Sequence, residues 1–319
     1  MNDMAQMHRD KGEISPEAST AGLNTSQTKI ISTQNEHSLR STNVFVRTYR
    51  WFTASAWRVF ALVCVVCLAL PTGFTIEMPG PTQNVLGNLG QQVGASGKNA
   101  VAAIRVTGVK THKESGKLLF TTVNVEGIPQ QPSLVAENVW GWVSPHAVVY
   151  PSEVFFPAEQ TGGEYEAEQK KQMSGAQSSA VLQAKKFLSE KGIDASAARF
   201  TLGAGDVGGP SAGLMFTLGA ITRVTPEDET NGVTIAGTGT MEKDGKVGPI
   251  GGVRLKLLGA RRDGAKWFLV PASDCAEAYG HIPEGIRDVR VSTLSEAYDA
   301  VVAIGQGKAA SLPHCTAKG

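Results

Sequence analysis

From Val59 to Ile76 the chain runs 18 residues without a charge, opening Val-Phe-Ala-Leu-Val-Cys-Val-Val-Cys-Leu-Ala-Leu. A helix of that length rises roughly 27 Å, close to the hydrocarbon thickness of a bilayer. A helix apolar on every side must be buried, either in a protein core or in lipid. Arg47, Arg50 and Arg58 stand just ahead of it, whereas Glu77 is the only charge between it and Lys98. That asymmetry predicts a transmembrane signal anchor over 54–76, a cytoplasmic N-terminus and an extracytoplasmic remainder. Residues 1–45, rich in Ser, Thr, Asn and Gln without apolar periodicity, read as a disordered cytoplasmic tail. A cleaved signal peptide is the poorer reading, because the segment before the run is long and no Ala-x-Ala site follows.

Composition removes several function classes. With 319 residues the chain holds one or two domains, and a formal charge of +1 with no basic face argues against nucleic-acid binding. None of the six histidines forms a ligand-spaced pair, H-E-x-x-H is absent, and the one C-x-x-C, Cys64 to Cys67, lies within the apolar run, so neither a metal nor a cofactor is expected. Cys64 and Cys67 lie inside the apolar run. Cys275 and Cys315 lie beyond it, where an oxidising exterior would let a disulfide pin the C-terminal tail, 306–319.

Past the anchor, Val101-Ala-Ala-Ile-Arg-Val-Thr and Leu118-Leu-Phe-Thr-Thr-Val-Asn-Val are β-like runs, making 78–160 a β-rich extracytoplasmic segment. Glu164–Lys191 is polar and helix-forming, its charges a solvated face. From residue 198 short strands and helices alternate, so a domain over 161–305 is α/β or α+β. Whether 78–160 stands apart from that domain the sequence leaves open.

Two segments carry chemistry. Residues 205–220 form a glycine-rich loop ending at Pro210, followed by apolar residues at helical spacing. Ser211 stands at the start of that helix. Its bland role is an N-cap, and its chemical role is a nucleophile beside unpaired N–H groups that suit an oxyanion. The second segment has Asp244-Gly245 as a hairpin turn, then Gly251-Gly252 opening a helix over Val253–Arg262. On that helix Lys256 shares a face with Gly252, Gly259 and Ala260, so another element can approach closely and strip its water. A desolvated lysine loses pKa and can serve as a general base; a surface lysine is the ordinary alternative.

Together these segments resemble the proteolytic domain of Lon peptidases. Gly-Pro-Ser-Ala-Gly (209–213) looks like the motif around the Lon nucleophile, and Pro-Ile-Gly-Gly-Val-Arg-Leu-Lys-Leu-Leu-Gly-Ala (249–260) like that around its lysine. Lys-Trp-Phe-Leu-Val-Pro (266–271) resembles the strand that follows. The anchor followed by Met78-Pro-Gly-Pro-Thr resembles the membrane-anchored, PDZ-containing Lon-like peptidases of Gram-positive bacteria. Here only about twenty residues separate the long helix from the serine loop, too few for a PDZ domain. Lon often carries an acid where this chain has Gly208, and Asp206 lies further back.

The resemblance implies a Lon-type α/β fold and a serine endopeptidase acting on extracytoplasmic or membrane-associated proteins. Ser211 would be the nucleophile and Lys256 the neutral base. The loop of Gly209, Pro210 and Ala212 would hold the oxyanion, and Thr238 would orient the lysine. No G-x-x-x-x-G-K-[ST] occurs, so the activity is expected to be independent of ATP. Protein substrates and, through 54–76, the lipid bilayer are the expected partners; a homo-oligomer is left open.

Three rivals remain. G-x-S-x-G with Asp274 and His281 behind it fits an α/β-hydrolase esterase. Gly203-Ala-Gly-Asp-Val-Gly with Asp228 twenty residues on fits, weakly, a dinucleotide loop. A non-catalytic scaffold would keep the fold without the reaction.

Overall fold

The computed structural model describes residues 55–89, 101–157 and 159–317; the tail expected over 1–45 lies outside them. The chain divides into two units, Met1–Val66 and Cys67–Gly319, and the second carries every sheet.

The apolar run does not stay helical. Helix α1 occupies 55–68, residues 69–70 turn, and the chain then enters strand β1 (Phe74–Pro79). Pro71 has no N–H to give a helix and disfavours helical backbone at the residue before it. Beyond it Thr75 and Ile76 prefer a pleated surface, and Ile76 is buried there. The single helix expected over 54–76 is therefore corrected: it ends at 68, and residues 74–76 belong to a strand. No helix among the described residues is long and apolar enough to cross a membrane.

The central sheet has five strands in the order β12-β11-β8-β4-β2. Strands β4 (Lys117–Phe120), β8 (Thr234–Gly237), β11 (Trp267–Pro271) and β12 (Arg287–Val291) run parallel, with β2 (Gln83–Asn84) antiparallel at the edge. The apolar residues of β4, β8 and β11 are continuous rather than alternating, as strands covered on both faces require. Leu118, Phe120, Ile235 and Leu269 share a core with helices α3 (Gly162–Glu190), α4 (Gly213–Thr222) and α7 (Leu294–Gly305). Leu119, Ala236, Phe268 and Val270 share another with α5 (Val253–Arg262) and the short α6 (Cys275–Ala278). The domain is thus a helix–sheet–helix sandwich, within the expected α/β class.

Smaller sheets complete it. Strand β1 lies between β5 (Val123–Glu126) and β6 (Val148–Pro151), both antiparallel to it. Strand β3 (Ile104–Thr107) pairs with β7 (Arg199–Leu202). The Asp244-Gly245 turn joins β9 (Thr240–Met241) to β10 (Val247–Gly248).

The question left open at 160 is answered by the central sheet, because β4 lies inside it, paired to β8 from the far side of that line. The tail from 306 is pinned, as the expected disulfide implies. The Cys315 N–H donates to Asp288 at 2.6 Å, the Arg290 N–H donates to the Pro313 carbonyl at 2.9 Å, and Cys275 and Cys315 are disulfide-bonded.

One helix went unread in the sequence. Helix α2 (Val135–Val143) buries Asn138 and Gly141 and turns its apolar residues outward, the reverse of the pattern that identifies a surface helix.

Candidate active site

Strand β7 ends at Leu202, and the glycine-rich loop crosses from there to α4. It rests on α3: the Gly209 N–H donates to the Gln169 carbonyl at 2.9 Å, with Gly209 at φ +83, a backbone that favours glycine. The N-cap of α4 is Ala212 and no side chain caps it. Ser211 is therefore not the helix cap. Its carbonyl accepts from the Gly239 N–H at 2.9 Å and from the Thr238 hydroxyl at 3.2 Å. Its own hydroxyl has no hydrogen-bond partner among the described residues, which leaves a half-buried, uncommitted oxygen. The N–H groups of Ser211 and Ala212 likewise have no acceptor among the described residues. Two adjacent free donors at the positive end of a fully buried helix suit a developing oxyanion.

Helix α5 has the bounds read from the sequence, and Gly252 supplies the left-handed turn that opens it. Lys256 is 3% exposed, and its Nζ donates to Thr238 Oγ1 at 3.3 Å. The small-residue face has the expected consequence. A Cβ at Gly259 would lie 3.0 Å from the Gly80 carbonyl oxygen, so any side chain there would crowd the chain that leaves β1 over the helix. Asp263 and Arg262 tie that contact down, binding the Thr82 N–H and the Gly80 carbonyl.

Burial pushes the Lys256 ammonium down to about 8, against the pull of Asp274, Glu77 and Glu277. Burial also raises Glu77 and Asp274 above the usual carboxylate range, with Lys256 opposing both shifts. Sequence reading missed the contribution of these carboxylates to Lys256. Glu77 comes from β1, about 180 residues before the lysine, and no local spacing could have paired them.

Ser211, Lys256, Gly209, Pro210 and Ala212 line one cleft of about 1120 Å3, with residues 120–126 on its opposite wall. Thr238 joins the two halves, one hydroxyl touching both the lysine and the backbone of the serine. The rivals fare worse. His281 is exposed and does not line the cleft, Asp274 accepts from the Ile250 N–H at 3.0 Å, and a loop rather than a strand runs into Ser211. Asp228 closes a turn, accepting from the Asn231 N–H at 3.0 Å, and does not end a second nucleotide-binding strand. Among the described residues no cluster of His, Cys, Asp and Glu could hold a metal ion.

A sequence model of the Lon protease (S16) C-terminal proteolytic domain matches residues 173–305. Among curated relatives, a mitochondrial Lon protease homolog of Emericella nidulans is 40% identical over 100 residues, which is 30% of this chain and 9% of that protein. A Lon protease of Clostridioides difficile is 33% identical over 94 residues, 30% of this chain and 12% of the relative. Lon protease 2 of Bacillus subtilis is 32% identical over 96 residues, 30% and 17% respectively. The chain spans less than a fifth of the length of each of these three relatives.

Proposed function

We propose, from the premise that residues 173–305 are a Lon-type proteolytic domain, that the protein is a serine endopeptidase working through Ser211 and Lys256. One observation carries the reading: a lysine buried without a salt bridge, hydrogen-bonded to the threonine that also holds the serine backbone, on the wall of the serine's own cleft. Lys256 Nζ, neutral in part of the population near pH 8, takes the Ser211 hydroxyl proton as Oγ attacks the peptide carbonyl. The N–H groups of Ser211 and Ala212 receive the oxyanion, and the proton then passes to the departing amine. Water resolves the acyl-enzyme by the reverse proton path.

The cleft favours an extended peptide. Strand β5 is the outer strand of its sheet, so its free edge can pair with substrate backbone along the cleft.

The bilayer is proposed as the setting. From Val59 to Ile76 the sequence carries no charge, and Arg47, Arg50 and Arg58 precede that run. The Cys275–Cys315 disulfide supports an oxidising, extracytoplasmic location for the peptidase domain.

Labelling of the full chain by a fluorophosphonate or a peptide boronate tests the dyad. Reactivity in wild type and its loss in both Ser211→Ala and Lys256→Ala is expected. Reactivity that survives Lys256→Ala would sink the reading.

A further inference from the structure

Helix α2 carries its apolar residues on the wrong side for a globular protein. Its inner face is Asn138 and Gly141; a Cβ at Gly141 would lie 2.6 Å from Val149 Cγ2, so the helix sits hard on β6. Its outer face is Val139, Trp140 and Val143, with Trp142 on the flank, and these are 43%, 51%, 77% and 60% exposed. Glu137, the only charge on the helix, is turned back to accept the Leu134 N–H at 2.7 Å. A contiguous apolar face of this kind on a soluble domain marks an interaction surface.

Its place in the chain identifies the occupant. The segment leaving the apolar run is fastened to the start of α2. The Val135 N–H donates to the Leu70 carbonyl at 3.0 Å, the Thr72 N–H donates to the Ser133 carbonyl at 2.8 Å, and buried Asn138 Nδ2 donates to Thr72 Oγ1 at 2.7 Å. The ring of Trp142 meets that of Phe74 edge-on at 5.5 Å. The turn bearing exposed Val154 and Phe155 is tied to the same segment, the Ser152 N–H donating to the Gly73 carbonyl at 2.8 Å. Leu70, itself half-exposed, is thus hydrogen-bonded directly to α2. Whatever solvent receives Leu68 and Leu70 is within reach of Trp140 and Trp142.

We propose that α2 and the 152–155 turn form a lipid-docking surface, which lays the peptidase domain against the bilayer from which the chain emerges. The proposal rests on the membrane reading above. Tryptophan and valine on α2, where the one charge, Glu137, is engaged by the Leu134 N–H, suit the headgroup–acyl boundary, with Glu153 the one charge of the neighbouring turn; an interfacial helix buries its apolar face there by about 5–10 Å. The helix lies in the interface, and the neighbouring hydrogen bonds fix its distance from the anchor to a few residues.

Tryptophan fluorescence of the full chain in phosphatidylcholine–phosphatidylglycerol nanodiscs, with and without bromine on the upper acyl chain, tests this. Wild type is compared with Trp140→Phe/Trp142→Phe and with Trp51→Phe/Trp57→Phe, all conservative changes. Bromine-dependent quenching is expected to persist in Trp51→Phe/Trp57→Phe and to drop in Trp140→Phe/Trp142→Phe. Quenching lost wholly in Trp51→Phe/Trp57→Phe would overturn the docking surface while leaving the anchor in place. No quenching in any form would overturn the membrane reading itself. If quenching is absent from Trp140 and Trp142 and Trp140→Asp turns a dimer into a monomer, a second copy covers the face and the proposal fails.

Discussion

In the proposed mechanism Lys256 sets the chemistry and its cost together. Its folded value of about 8 lies below the ordinary lysine value of 10.5, so the unfolded chain holds the proton more tightly across that window. Stability therefore rises with pH from about 8 to about 10.5, and below 8 the penalty of a buried ammonium is fully present. Lys256→Met should then stabilise the inactive protein at pH 7 by on the order of 3 kcal/mol, with the gain fading as pH approaches 10.5. Denaturant unfolding at several pH values measures this; a destabilised Met variant at pH 7 would mean that the lysine is not effectively desolvated. Thr238 is the second residue on which much depends. Thr238→Val keeps its shape but removes the hydroxyl shared by Lys256 and the Ser211 carbonyl, which retains the Gly239 N–H. Loss of one bond to a charged group, worth about 1.5–3 kcal/mol, corresponds to a kcat lower by roughly 10- to 100-fold. KM should hardly move, and Thr238→Ser should recover most of the rate.

Helix α5 and strand β1 act as one device. The strand can strip water from Lys256 only because Gly259 has no side chain, with the Gly80 carbonyl already 3.0 Å from where a Cβ would stand. Gly259→Val should part them, admit water and return the lysine toward 10.5. The rising limb of kcat/KM against pH, expected near 8 in the wild type, should then move upward, with less activity at neutral pH. A limb unmoved in a folded Gly259→Val protein would show that other contacts keep the lysine dry. The bounds of α5, the hairpin before it and β11 after it are legible in the sequence because glycine turns and β-branched runs are local signals. Helix α2 was not legible: its periodicity is real but reversed, and sequence reading assumes the apolar face points inward.

At the scale of the molecule, the β-rich half and the peptidase half share the central sheet. Removing residues before 161 takes away β4, whose neighbour β8 would face water with Ile235 and Ala236 uncovered along that edge. A fragment of residues 161–319 should show no cooperative unfolding, whereas the full chain should show a single transition for this unit; calorimetry distinguishes them. The C-terminal tail closes the other side. Cys275 and Cys315 are 40 residues apart, a loop whose crosslink is worth on the order of 4 kcal/mol, so Cys315→Ser should lower Tm by several degrees. An unchanged Tm would mean that the Cys315 N–H bond to Asp288 and the contacts around it hold the tail alone.

The sequence by itself determined the candidates Ser211 and Lys256, because a serine before a helix and a lysine among glycines are local patterns set by backbone geometry. It also determined the α/β class, through short apolar strands that alternate with helical stretches from residue 198 on. Only the tertiary structure decided where the apolar run ends, since Pro71 permits a strand but it is the antiparallel pairing with β5 and β6 that stabilises one. Only tertiary structure, too, brought Glu77 and Thr238 to Lys256. Their contacts span strands and helices far apart in the chain, and electrostatic neighbours of that kind leave no periodic trace.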